Sequence, residues 1–548
     1  MAYFYHLRHF FVSIKSMKIV SISILLIWLG AITHAQTWLQ DQKIVASDRN
    51  DTDFLGIDVA IDGNRLIVGS HMQDFDENGQ NEIAGAGAVY IFEEDVSNNW
   101  IEVDKLVASD RADNDQFGWS VAVSGDYAIV GAYLEDNDVS GGNFLSASGS
   151  AYIFERDTNG NWQQVQKLTA AVRGLNDRFG WDVSISGDYA IVGSYFEDED
   201  ENDQNFLSGA GSAYIFKRDG TGIWNQVQKI VAQDRSSGDL FGHSVFINQD
   251  RLIVGAPGQE DRPGAAYVFE KDGTGNWAEV KKLTALDGTN GDQFGYRVGI
   301  DTDYTIVVAL TEEEDASGQN TITDSGSAYI FERDGTGEWS QAQKLVASDR
   351  DVNSNWFGYG VSIGGKYAVI GARYEDKDGS GQDPLTDAGA AYIYERNMDG
   401  TWSEMQKIVN TDRSIYNQFG YSVAISGDFL IAGAVGETLD ASGQNPISRA
   451  GAAYVFQLTP PLNIDNDSFG PLLKIYPNPT NWALTLDLGT NYGSIILTLT
   501  NCIGQTLLTK SFRDTDNINF EIEGAKGVYF AQVATGDGKY VVLKVVKR

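Results

Sequence analysis

The sequence is poor in several things, and each shortage removes a class of protein. One cysteine in 548 residues, Cys502, leaves no intramolecular disulfide to hold the chain together. Basic residues are scarce: 40 Lys and Arg stand against 76 Asp and Glu, a formal charge of -36, so nucleic-acid phosphates are repelled. Of five His, three (His6, His9 and His34) fall in the first 35 residues. His71 and His243 remain, too few for a His-based zinc site and with little scope for a Ser-His-Asp triad. There is no P-loop and no dinucleotide fingerprint. Nine Pro against 60 Gly, with 25 Tyr, 26 Phe and 12 Trp, suits many short strands joined by tight turns.

The long hydrophobic run is N-terminal. MKIVSISILLIWLGAITHAQ, from Met17, has a basic Lys18, an apolar stretch of signal-peptide length and THA before Gln36. It predicts an export signal over 1–35, cleaved after Ala35 and truly starting at Met17, rather than a membrane span. The mature chain is then expected to lack a transmembrane segment.

Past that point the chain repeats. DQFGWSVAVSGDYAIVGAYLED (115–136) returns as DRFGWDVSISGDYAIVGSYFED (177–198) and NQFGYSVAISGDFLIAGAVGET (417–438). The glycine of the FG dipeptide recurs at Gly56, Gly118, Gly180, Gly242, Gly295, Gly358 and Gly420, with Leu55 replacing Phe in the first copy. A fixed period of this kind means one supersecondary unit that buries its apolar face against its neighbours. Each unit reads as four strands with period-two alternation, the first two flanking a tight turn such as Ser124-Gly125-Asp126. Seven such units predict an all-β fold, a seven-bladed β-propeller over 36–459. The seventh copy stops before Pro460 without its fourth strand, while TWLQDQKIVASD (37–48) precedes the first FG. The N-terminal strand should therefore complete the last blade.

These units resemble FG-GAP repeats, the propeller units of integrin α-subunit heads and of many bacterial surface proteins. The resemblance implies the fold and leaves function open, since propellers host adhesion, scaffolding and hydrolysis. After a linker at 460–470, LKIYPNPTNWALTLDL (473–488) and the terminal GVYFAQVATGDGKYVVLKVVKR (527–548) resemble the C-terminal sorting domain of the type IX (Por) secretion system. That resemblance implies a small Ig-like β-sandwich over 471–548 and a Gram-negative Bacteroidetes-type host. It further implies recognition by the type IX machinery and release or attachment at the outer surface.

An acidic loop recurs between the second and third strands of six units. Its first, third, fifth and eighth positions are Asp74, Asp76, Asn78 and Asn81 in the first unit, and Asp136, Asp138, Ser140 and Asn143 in the second. The third unit has Asp198, Asp200, Asn202 and Asn205; the fifth has Glu313, Asp315, Ser317 and Asn320. The sixth has Asp376, Asp378, Ser380 and Asp383, and the seventh has Asp440, Ser442 and Asn445 behind Thr438. Alternating short acids before a Gly bend suit calcium, which takes six to eight oxygens. Asp, Asn and Ser also serve turns for backbone reasons alone. The integrin-type calcium loop belongs in the first turn, here a bare SGD, so its residues do not carry over. An apolar tenth position (Ile83, Leu145, Leu207, Ile322, Leu385, Ile447) predicts that the loop folds back with its acids converging.

Unit four has lost this loop and reads GQEDRPG (258–264). Such breaks of symmetry single out His243, Arg262 and Arg297 as ligand-binding candidates. The aromatics that follow most FG glycines are expected to pack between blades. The pattern is that of a secreted or surface-attached, calcium-stabilised, non-enzymatic binding or adhesion protein with an extracellular protein or glycan ligand. The alternative is a carboxylate-based glycan hydrolase or lyase, which needs no His.

Overall fold

The computed structural model describes residues 36–258, 263–350, 355–459, 474–476, 480, 483–501, 506–522, 526–535 and 540–547. The export signal, the linker, Cys502 and Arg262 lie outside them. Two compact units emerge, one over Thr37–Thr459 and one that includes the C-terminal strands.

The first unit is a propeller of seven four-stranded antiparallel sheets. In the second blade the strands are Ser120–Ser124, Tyr127–Ala132, Ser150–Arg156 and Trp162–Leu168, innermost to outermost. Their sequences report their depth. The second and third strands are covered on both faces by neighbouring blades, so AIVGA and SAYIF are buried without a break. The outer strand WQQVQKL has one face in water and alternates accordingly. Phe117 of the FG dipeptide is fully buried and packs edge-on against Tyr152 of its own blade, ring centroids 5.4 Å apart.

The seams between blades are made by backbone. A Cβ on Gly131, in the second strand of blade two, would lie 2.1 Å from the carbonyl oxygen of Gly180, the FG glycine of blade three. The same clash would arise between Gly69 and Gly118, Gly193 and Gly242, Gly255 and Gly295, Gly371 and Gly420, and Gly433 and Gly56. Beside each pair, the connection leading to the FG dipeptide hydrogen-bonds to the preceding blade, as in Phe117 N to Ala86 O at 3.1 Å. The last of these stitches, Leu55 N to Ala450 O at 3.0 Å, joins blade one to blade seven.

The ring closes as the sequence predicts. Trp38–Ile44 pairs antiparallel with Ala452–Leu458, Trp38 opposite Leu458, and supplies the fourth strand of the last blade.

In the second unit, Lys474–Tyr476, Ala483–Tyr492 and Thr515–Glu521 form one sheet. Thr506–Phe512, Ile495–Asn501, Gly527–Thr535 and Tyr540–Lys547 form a second. Leu486, Leu497, Phe520 and Val533 share one core between them, the expected small β-sandwich.

Gly131→Ala must push two backbones apart and is expected to cost about 2–3 kcal/mol in a denaturant titration, within the range for overpacking. Gly220→Ala is the control: nothing lies within 4 Å of the added methyl, and the midpoint should hold or rise slightly.

Candidate functional site

The acidic loops and the mouth of the central channel share one end of the ring. The loops do fold back: Ile83 N donates to Asp74 O at 2.8 Å, and the five other loops repeat that bond. The acids, however, do not converge. Asp76 Oδ1 accepts the amides of Asn78 and Gln80 at 2.9 and 2.8 Å, and its Oδ2 accepts Asn81 Nδ2 at 2.5 Å. Asp74 Oδ1 turns instead to the amide of Gly85 at 2.7 Å. Asp136, Asp198 and Asp376 make the same bond to residues 147, 209 and 387. Glu313 and Thr438 hold that first position in blades five and seven.

The third-position carboxyls of Asp138, Asp200, Asp315, Asp378 and Asp440 each accept amides of their own turn. The hydrogen bonds hold all six third-position acids below the usual carboxylate range. At the fifth position Ser140, Ser317, Ser380 and Ser442 donate to that same carboxylate, while Asn78 and Asn202 reach a neighbouring Glu. The eighth position is left-handed in every loop: Asn81, Asn143, Asn205, Asn320, Asp383 and Asn445 have φ of 44–49°. Asn and Asp tolerate that region best, which accounts for their recurrence there. Asp157, in the turn between the third and fourth strands of blade two, binds the amides of Asn159 and Asn161 in the same way.

Each loop also holds a cation, and it is an arginine. Arg173, on the connection to the next blade, donates to the carbonyls of Asp136 and Asn143, positions one and eight. Arg111, Arg235, Arg413 and Arg49 clamp the loops of blades one, three, six and seven identically. Arg350 reaches Glu313 O at 2.5 Å in blade five. Blade four lacks the loop, and the residue in register on its connection is Gly288. Loop and arginine go together. Within the loop, then, the third-position carboxylate is engaged by amides of its own turn and two of the loop carbonyls by a guanidinium.

Six of the seven residues that follow the FG glycines form an aromatic iris at the channel mouth. Trp119–Trp181, Trp181–His243, His243–Tyr296 and Tyr296–Tyr359 are tilted and Tyr359–Tyr421 is edge-on, at 4.7–5.9 Å, blade to blade, with Ile57 as the seventh member. Trp119, Trp181, Tyr296 and Tyr421 are only half-buried. Arg373 lies 3.9 Å from the Tyr359 ring and Arg178 lies 4.7 Å from that of Phe196, so cationic groups sit on the aromatic floor.

Beneath it a cavity of about 180 Å³ runs among the inner strands, lined by Asp58, Asp182, Arg297, Ser120, Ser244 and Ser422. His243 and Arg297 thus do come together. His243 is buried, its pKa lowered to about 3 by burial and by Arg297, and its Nδ1 lies 3.2 Å from Tyr296 O. Arg297 offsets two acids. Burial, with the Asp182 carboxylate adding to it, pushes Asp58 up to about 7. Both acids staple blades: Asp58 Oδ2 accepts Val121 N at 2.8 Å, and Asp182 Oδ2 accepts Val245 N at 2.7 Å. Ser120 and Ser244 hold the corresponding amides of Val183 and Val298.

A closed ring of seven four-stranded blades with a plugged axial channel defines a propeller scaffold. Matches to the FG-GAP repeat at residues 38–92, 100–154, 162–216, 224–269, 277–331, 339–394 and 402–456 cover more than half of the chain, which belongs to that family. Residues 474–548 match the secretion system C-terminal sorting domain. No curated protein matches the chain. The sorting domain directs the protein through type IX secretion to the cell surface or the extracellular space. No helix among the described residues is long and apolar enough to cross a membrane.

Arg173→Ala should lower stability by about 2 kcal/mol, the worth of charge-assisted hydrogen bonds, and Arg173→Lys should recover little of it because an ammonium cannot span both carbonyls. Thermal melts of the full chain with calcium or with chelator should coincide, whereas an ion bound at a hundred times its dissociation constant would add about 2.7 kcal/mol.

Proposed function

We propose that this is a non-enzymatic binding or adhesion protein whose extracellular protein or glycan ligand docks on the aromatic mouth. The observation that carries this reading is the half-buried ring of Trp119, Trp181, Tyr296 and Tyr421, flanked by Arg178 and Arg373, in the middle of an acidic face. Aromatic faces with adjacent guanidinium groups stack on sugar rings and on planar side chains, and the surrounding acids exclude anionic competitors. The acidic loops, in this reading, are arginine-clamped walls of the docking face rather than calcium sites. Against catalysis stand two histidines kept neutral by burial, His71 lowered to about 4 and His243 to about 3, and channel carboxylates engaged by backbone amides.

The experiment pairs a glycan array and a surface-protein panel with chromogenic glycosides, using the full secreted chain. Binding without turnover is expected, weakened roughly tenfold by Trp181→Ala or Arg178→Ala when measured well below the melting temperature of each variant. Turnover that disappears in Asp182→Asn would replace this reading with a glycan hydrolase or lyase.

A further inference from the structure

In the six blades that keep the loop, the residue three before the FG glycine meets the residue that opens the loop. In blades six and seven the pair is amide and acid: Asn355 Nδ2 donates to Glu375 Oε2 at 2.6 Å, and Asn417 Nδ2 to Glu437 Oε2 at 2.9 Å. In blade one the order is reversed, and Gln73 Nε2 donates to Asp53 Oδ2 at 3.0 Å. Blades two, three and five have no amide. They place Asp115 with Glu135, Asp177 with Glu197 and Asp292 with Glu312, and all six side chains are buried.

We propose that each of these three acid pairs holds one shared proton, which takes the place of the amide hydrogen in the other blades and makes closure of the blade seams depend on pH. The charge around each pair points the same way. A lysine from the outer strand and one further Asp complete every cluster: Lys105 with Asp48, Lys407 with Asp349 and Lys43 with Asp412 in the blades that have the amide. Those clusters carry two carboxylates and one ammonium, joined in blade six by Lys377, whose charge also acts on Asp349.

In blade two Asp115 and Glu135 face Asp110, Lys167 and the Tyr152 hydroxyl. In blade three Asp177 and Glu197 face Asp203, Glu199, Lys229 and Tyr214. In blade five Asp292 and Glu312 face Asp287, Glu314, Lys344 and Tyr329. Blade two has three carboxylates against one lysine and blades three and five have four, so a single proton gives blade two the balance of the other blades and lessens the excess in blades three and five. The second oxygen of each Asp is committed to the backbone: Asp115 Oδ2 accepts Ala112 N at 2.7 Å, and Asp292 Oδ2 accepts Thr289 N at 2.5 Å. In blade two Oδ1 is left to carry the hydrogen toward Glu135, and in blade five Asp292 Oδ1 also accepts the Thr289 hydroxyl at 2.7 Å.

Burial, reinforced by the neighbouring Glu, raises Asp115 to about 7, Asp177 to about 8 and Asp292 to about 6. Burial raises Asp53 to about 7 as well, so the pairing partner, not the shift, separates the two kinds of blade. Because the folded pKa lies above the unfolded one, the stabilisation is complete below about pH 4 and is lost as pH rises through about 6–8. Each pair abuts a seam, since Asn114 N, Gln116 N and Phe117 N bond to the preceding blade beside Asp115.

The test is calorimetric unfolding of the full chain at about pH 5, below the folded and above the unfolded carboxyl range, in buffers of differing ionisation heat, for wild type and for the triple variant Asp115→Asn, Asp177→Asn, Asp292→Asn. Wild type should release about three more protons than the variant, one per pair, and the variant should lose less melting temperature between about pH 5 and about pH 9. Equal proton release, or a pH profile that the substitutions leave unchanged, overturns the proposal. Infrared spectra keep it falsifiable if the triple variant fails to fold. Folded wild type at neutral pH should show a protonated-carboxyl band that fades at alkaline pH while the fold persists, and its absence at neutral pH also overturns the proposal.

Discussion

The structure depends on how closely two backbones can approach. At six of the seven seams a glycine of one blade's second strand faces the FG glycine of the next, with no room for a methyl between them. That approach fixes the spacing of the inner strands, and the spacing sets everything outside it. Phe117 and its counterparts fill the wedge that opens as the blades diverge, while the larger Trp residues fill the wider gap at the rim. Blade five shows the tolerance of the design: Val308 replaces the strand glycine, and its Cγ1 fills the space where a Cβ on Gly358 would sit, 2.3 Å away. The family signature is thus a statement about van der Waals contact at a seam, and carries no chemistry of its own.

Chemistry is left to what the ring presents at its mouth. A chain with a formal charge of -36 must manage repulsion, and it does so locally. Third-position acids are spent on their own turns, first-position acids on the amide that ends the loop, and arginines on the carbonyls between. The channel follows the same economy of placement: Asp58 and Asp182 bind neighbouring blades while Arg297 offsets them. What the mouth presents is aromatic and cationic, the guanidinium groups of Arg178 and Arg373 over a floor of rings, tied to the hydroxyls of Tyr195 and Tyr374.

The ring was legible in the sequence because repetition amplifies weak signals. A lone SVAVSG is an ambiguous strand, but seven copies at one spacing, with the fourth strand missing at one end and present at the other, admit few topologies. The loops were legible as loops, while the internal partners of their acids were not. Acidity at alternating positions looks alike whether a metal or a backbone amide is the partner, and the deciding residue is far away in sequence: Arg173 lies 37 residues after Asp136. The signal that reveals it is the joint loss of the loop and of the arginine in blade four, where Gly288 stands. The acid pairs were invisible for a related reason. Asp177 and Glu197 are ordinary in isolation, and only the sheet brings a connection and a loop opening face to face. The iris, by contrast, followed from parity with the buried Val of the first strand, and its members do pack from blade to blade.

Closing the last blade with the first strand has a consequence in time. Trp38 leaves the ribosome hundreds of residues before Leu458, so Trp38–Ile44 waits unpaired while six blades are made. Loop-closure entropy weighs most heavily on this final pairing, and contacts so distant in sequence make folding slow. Until it forms, the edge of Ala452–Leu458 stays open. A chain cut short before that strand can neither lock its propeller nor carry the sorting domain at 474–548. Every truncation that removes Ala452–Leu458 also removes the sorting domain, so a product that cannot close its ring also lacks its means of export.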